Sequence, residues 1–145
     1  MLKDTLVIPE LFLKTAQEFR DSVALQYKKS GEWHRMTYAE LKRQALQVAQ
    51  FLLREGIQKE DRIALILENC PQWPVIYMGI VCAGGVCVPL DPQLSSEECE
   101  WFLKDSDAKF VFCSVPVFSD KIKPFAASSQ IRAVVVDGDD ASKEE

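Results

Sequence analysis

The stretch ALILENCPQWPVIYMGIVCAGGVCVPLDP, residues 64–92, carries no charged side chain between Glu68 and Asp91. A run this apolar has to leave water, and only a few structures allow that. A membrane-spanning helix needs about 20 consecutive apolar residues. Here Asn69, Pro71, Gln72, Pro74, Gly84, Gly85 and Pro89 punctuate the run, so it reads as strand, helix and strand inside a folded domain. A phosphate-cradling loop is the other way to use a glycine pair. That loop needs either G-x-G-x-x-G between a strand and a helix, or a glycine-rich run ending in Lys and Ser or Thr. Gly84 and Gly85 instead follow a helix and precede a strand. They sit at the helix end whose dipole repels anions. Their expected role is a tight turn and a close backbone approach.

The segments around this stretch alternate between strand and helix. IALIL (63–67), VCVPL (86–90), KFVFC (109–113) and RAVVV (132–136) are short apolar runs without the alternation of a half-exposed strand. Strands covered on both faces read this way, typically in a parallel sheet. Helix-like segments at 72–83, 96–106 and 119–127 separate them, and right-handed crossovers are expected. Upstream, Thr37 and Glu40 form a capping-box pair that opens a helix. Its apolar stripe is Leu41, Ala45, Val48 and Leu52, with Lys42, Arg43, Gln47, Gln50 and Arg54 turned away and Gly56 placed to end it. Ser95 and Glu98 repeat the capping box. Residues 9–20 predict a short helix with Phe12, Ala16 and Phe19 on one face. Val23–Tyr27 and Trp33–Met36 predict a hairpin joined by KKSG. The expected fold class is α/β: a mainly parallel layered sheet with flanking helices and a small N-terminal hairpin. Residues 1–136 are read as the folded unit, and DGDDASKEE (137–145) as an acidic, disordered tail.

Composition removes several function classes. The net charge is −5 over 145 residues. A general affinity for nucleic acid or an anionic membrane needs a cationic surface, and none is indicated. Trp33, Trp73 and Trp101 are not interleaved with basic clusters, so an aromatic platform for nucleic acid has no support. The cysteines, at 70, 82, 87, 99 and 113, show no metal-type spacing, and His34 is the only histidine. A zinc site wants closer pairs. The expectation is reduced thiols, with Cys82, Cys87 and Cys113 buried and unpaired. MLKDTLVIPE has an acid at Asp4 and no long apolar core, which predicts no secretory signal and a cytoplasmic setting. His34 lacks a nucleophile elbow to serve. The acids at 137–140 lack the other ligands of a calcium loop. The residues alone therefore assign no catalytic, cofactor-binding or metal site.

The order of segments is nevertheless distinctive. TYAEL (37–41), GIQKEDRIAL (56–65), ENCPQW (68–73), AGGVCVPLDPQLSSEE (83–98) and LKDSDAKFVF (103–112) resemble, in order and spacing, the N-terminal part of the adenylate-forming acyl-CoA synthetases, of the long-chain fatty-acid–CoA ligase type. The resemblance covers roughly residues 10–136. It departs at Gln72, where the family usually has an acid, at Gly85, where Ala is usual, and at Glu60, where Gly is common. It implies a parent enzyme that activates a carboxylic acid with ATP and Mg²⁺ to an acyl-adenylate and passes the acyl group to coenzyme A. The family's phosphate loop ending in Pro-Lys-Gly, its Tyr-Gly-x-Thr-Glu segment, its ribose-binding Asp and its lid Lys match no position here; Thr occurs only at 5, 15 and 37. The expectation is thus an N-terminal subdomain whose partner is the remainder of the parent ligase. It would bind no cofactor by itself and could self-associate through the face left exposed. Two other readings stand beside it: a non-catalytic interaction module on the same scaffold, and an unrelated doubly wound domain with a nucleotide site at the carboxyl ends of its strands.

Overall fold

The computed structural model describes residues 7–136. The order is α1 (Ile8–Glu18), β1 (Val23–Lys29), β2 (Glu32–Thr37), α2 (Tyr38–Arg54), β3 (Arg62–Ile66), α3 (Gln72–Cys82), β4 (Val86–Pro89), α4 (Ser96–Asp105), β5 (Phe110–Ser114), α5 (Val115–Val117), a π-helical turn (Phe118–Ile122), α6 (Lys123–Ala126) and β6 (Arg132–Val136). The four apolar runs form one parallel sheet in the order β4-β3-β5-β6, and β1 and β2 form a separate antiparallel hairpin. The expected α/β architecture is what the chain adopts.

Alternate residues of the sheet feed two cores. Ile63, Leu65, Phe110 and Phe112 face α2 and α3, where they meet Leu52, Ile76 and Ile80. Ala64, Ile66, Val111 and Cys113 face the other way, against Cys99 and Leu103 of α4 and Val117, Ile122 and Phe125 of the segment after β5. A strand that must be apolar on both faces cannot alternate, which is why these runs looked continuous. The crossover from β3 to β4 runs one way along the sheet with α3 on the first face. The crossover from β4 to β5 runs back with α4 on the second, so one hand is kept throughout. A third cluster, Phe12, Ala16, Met36, Leu41, Ala45 and Val75, seats α1 and the hairpin on the outside of α2 and α3.

Both capping boxes close as the spacing predicts. The Thr37 N–H donates to Glu40 Oε2 at 2.7 Å while the Glu40 N–H donates to Thr37 Oγ1 at 3.3 Å. Ser95 and Glu98 do the same at 2.8 and 3.2 Å. Hydrogen bonds from the Thr37 N–H, then from its hydroxyl, hold the Glu40 carboxyl below its ordinary range. Gly56, at φ +86°, ends α2 as expected.

Other expectations need correction. The hairpin turn is Ser30–Gly31, both at positive φ, so Lys28 and Lys29 belong to β1 rather than to a loop. A two-residue turn of this kind matches the strand twist. Phe19 lies past the end of α1 and is exposed. On α2 the third buried residue is Ala49 rather than Val48, which is only half-buried. Val48 lies over Gly79 of α3, where an added Cβ would come within 2.5 Å of its own Cβ. The helix predicted at 119–127 begins at Val115 and is interrupted by the π turn. Pro124 has no N–H to return to the Asp120 carbonyl, and the Lys123 N–H reaches back to Phe118 instead.

The thiols also divide differently. All five cysteines are unpaired, but Cys82 and Cys87 are half-buried and Cys99 joins Cys113 as fully buried. Cys87 lies on β4, one of the two outer strands, and Cys82 in the last turn of α3; neither is enclosed on all sides, whereas Cys99 and Cys113 face each other's elements across the second core. Burial pushes the Cys87 and Cys113 thiols up to about 12. Residues 137–145, expected as a disordered tail, lie outside the described residues.

Candidate functional site

A doubly wound sheet has a natural site where its strand order reverses, at the carboxyl ends of the strands. Here that place lies between β3 and β5, whose following segments leave toward opposite faces. It is built from Leu67–Pro71 after β3, Leu90–Leu94 after β4, and Ser114–Pro116 at the end of β5. The three segments arrive together because the parallel register sets Ile66 beside Cys113 and Leu65 beside Pro89.

The chemistry of this edge is sparse. Glu68 and Asn69 are exposed. Gln93 Nε2 donates to Glu68 Oε1 at 3.3 Å, and the Gln93 N–H donates to Asp91 Oδ1 at 2.8 Å, so the loops after β3 and β4 are tied through one side chain. The nearby cation, Lys121, donates to the Pro92 carbonyl. The Lys121 carbonyl in turn accepts from the Ser96 hydroxyl at 2.8 Å. Gln72, in the first turn of α3, carries a buried side-chain oxygen with no hydrogen-bond partner among the described residues.

These groups do not fit a nucleoside triphosphate and its magnesium. Phosphate oxygens need donors and positive charge, and this edge presents Glu68, Asp91 and a buried acceptor, with its lysine already engaged. Among the described residues no group of three His, Cys, Asp or Glu side chains could hold a metal ion. The glycine pair lies at the opposite edge. Gly84 takes φ +81°, and a Cβ on Gly85 would meet Ile63 Cδ1 at 2.6 Å, so both serve the turn and the close packing expected of them. His34 stacks on Tyr27 in the hairpin, with ring centroids 5.6 Å apart and no catalytic partner in that pairing. Among the described residues no helix is long and apolar enough to cross a membrane.

At the amino edge the loops are locked. Arg62 donates to the Ser106 carbonyl at 2.9 Å and to Asp107 at 2.7 Å, and Lys109 reaches the same carboxylate at 3.1 Å. Lys109 first, then Arg62, hold the Asp107 carboxyl below its usual range. Arg132 donates to Glu55 Oε2 at 3.0 Å and lies 3.9 Å over the Phe110 ring. What sequence reasoning missed is the Gln93–Glu68 link. It joins residues 25 apart and is set by the register of β3 and β4, which no local pattern reports.

The comparisons with known proteins agree with the segment order. The family model described as AMP-binding enzyme matches residues 12–145. The chain is 31% identical over 116 residues to the long-chain-fatty-acid–CoA ligase of Bacillus subtilis, covering 80% of this chain and 20% of that protein. It is 30% identical over 139 residues to a linear gramicidin synthase of Brevibacillus parabrevis, covering 96% of this chain and 2% of that one. The structure of a putative long-chain-fatty-acid CoA ligase from Rhodopseudomonas palustris superposes with a TM-score of 0.79 at 20% identity, over 91% of this chain and 33% of that chain, which speaks for the fold. The chain spans 23% or less of the length of the first curated relatives it matches. With its parallel sheet and these matches together, the chain belongs to the AMP-binding, adenylate-forming enzymes and represents their N-terminal region.

Proposed function

We propose that this chain is the N-terminal scaffold of an AMP-forming acyl-CoA ligase, whose whole activates a carboxylic acid with ATP and transfers the acyl group to coenzyme A. The observation that carries this is the match of the AMP-binding model over residues 12–145, on a parallel α/β sheet. Adenylation needs donors and a metal around a developing phosphorane, and electrostatic stabilisation of that kind is usually the largest catalytic contribution. The remainder of the parent would bring the nucleotide site, magnesium and coenzyme A to the edge that β3, β4 and β5 hold in place. The acid is a fatty acid, as in the name of the Bacillus relative; the gramicidin synthase, similar at nearly equal identity, makes an amino acid the competing substrate. The isolated chain is inactive, and it self-associates where apolar surface is left uncovered.

The test is ATP–pyrophosphate exchange with the purified 145-residue chain against fatty, aryl and amino acids. No exchange is expected with any acid. Exchange that persists through repurification would overturn the scaffold reading. Sequencing the full transcript tests the parent: a downstream Thr- and Gly-rich loop ending in Pro-Lys-Gly is expected, and a stop without that loop would favour the non-catalytic module.

A further inference from the structure

The segment that leaves β5 does not run as one regular helix. Val117 and Ile122 both pack into the second core, five residues apart. An α-helix would bring the residue four on from Val117, which is Lys121, to that inward position. The π turn, closed by the Lys123 N–H on the Phe118 carbonyl, inserts one residue. Ile122 goes inward instead, and Lys121 stays half-buried beside the core. There Lys121 is bonded through both its side chain and its backbone. Its ammonium donates to the Pro92 carbonyl, and its own carbonyl accepts from the Ser96 hydroxyl at 2.8 Å. Gln93, next to Pro92, donates to Glu68. One chain of contacts thus runs from the segment after β5 through the loop after β4 to the loop after β3. These are the segments that make the candidate site. The place is a poor one for a lysine if only stability counts. Burial pushes the Cys99 thiol up and the Lys121 charge opposes it, which sets the ammonium near the start of α4. That is the helix end whose dipole disfavours a cation. π turns are rare and recur at functional sites, and native folds break local rules of this kind where function needs them to.

We infer that Lys121 is a positioning residue for the parent's reaction: it fixes Leu90–Leu94, and through Gln93 the loop after β3, at the carboxyl edge. The inference rests on the ligase reading above and names a residue that serves it. Lys121 acts through the loops and not on the reacting atoms. Its bond to Pro92 is charge-assisted, and such bonds are about twice as strong as neutral ones. The long stem lets a residue seated against the second core reach the loop on the far side of α4's first turn. A reaction that depends on placement to within about an ångström loses rate when a supporting loop loosens. Arg in place of Lys121 keeps the charge and the reach. Met keeps the stem and loses the bond.

The experiment compares variants by ATP–pyrophosphate exchange in the full-length parent and by amide exchange in the 145-residue chain. Lys121→Met should speed exchange of the Gln93 and Leu94 amides, whose N–H groups donate to Asp91. In the parent it should lower kcat by about tenfold or more, with KM for the acid and for ATP unchanged. A fall confined to kcat marks lost placement in the transition state. A merely structural role would lower the midpoint of unfolding and leave kcat per folded molecule intact. Lys121→Arg should restore kcat. Ser96→Ala frees the carbonyl end of Lys121; it should lower kcat by less, and it keeps the test valid if the Met variant does not fold. Lys123→Met, exposed in the same segment, should change neither readout. Unchanged amide exchange, a wild-type kcat in Lys121→Met, or a loss that Arg does not restore overturns the inference and leaves the ligase reading standing. A wild-type parent that exchanges no pyrophosphate with any acid overturns that reading, and this role with it, whatever the amides show.

Discussion

The amino and carboxyl edges of the parallel sheet are built from the same kind of loop, yet they are held very differently. At the amino edge each strand begins in a web of bonds: Arg62, Lys109 and Asp107 join β3 to β5, Arg132 and Glu55 tie β6 to the end of α2, and the Glu60 N–H donates to the Gly84 carbonyl at 2.9 Å. At the carboxyl edge no charge pair joins the strands among the described residues, and the side-chain bonds are those of Gln93 to Glu68, of the Gln93 N–H to Asp91, of Lys121 to Pro92 and of Ser96 to the Lys121 carbonyl. The difference separates structure from function. An edge that only has to close a fold can spend its polar groups on itself. On the proposed reading, the edge that would receive the rest of the parent has the more exposed groups and the fewer ties between strands.

The comparison can be broken most severely at Gly85. Gly85→Ala drives a Cβ into Ile63 Cδ1, within a core where Ile63 has no exposed surface. Overpacking of this sort costs about 1–3 kcal/mol, measured by denaturant unfolding. Ile63→Val deletes the offending atom, so the double variant should recover part of the loss. Strict additivity of the two would show that the clash is not the cause.

A smaller effect of opposite sign is expected next door. Glu60 takes φ +70°, at a position where the resembling enzymes commonly have glycine. Left-handed backbone costs a residue with a Cβ roughly 1 kcal/mol, so Glu60→Gly should raise the midpoint of unfolding. A lower midpoint would mean that the entropy glycine adds to the unfolded chain outweighs the relief.

The smallest effect belongs to the carboxyl edge. Gln93→Ala removes one exposed side-chain bond and should cost less than about 0.5 kcal/mol. Faster amide exchange in residues 67–71 should nevertheless follow, with the amino edge unaffected. A loss comparable to that of Gly85→Ala would erase the distinction between the edges.

Much of the fold was legible because its signals are local. The Thr37–Glu40 and Ser95–Glu98 boxes are three residues apart, and the two-faced strands announce themselves by lacking alternation. Burial of the thiols was read less well. An apolar neighbourhood in sequence says that a segment is packed, but whether it lies at the sheet centre, as Cys113 does, or at its rim, as Cys87 does, depends on strand order. The candidate site was legible only as a location. Its groups come from three loops whose meeting is set by register, and no motif links Glu68 to Gln93.

The strand order has a consequence for how the chain is made. β3 receives β4 on one side, with Ile63 beside Cys87, soon after both are synthesised. Its other side waits for β5, where Ile63 meets Phe110, and β5 cannot arrive until all of α4 has been translated. At roughly 5–20 residues per second, emergence from the ribosome leaves that flank of β3 unpaired for an interval on the order of seconds. For that interval β3, whose residues 63–66 are buried in the finished sheet, has an open edge. A chaperone that binds extended apolar segments would find Ile63–Ile66 during that interval and lose it once β5 inserts.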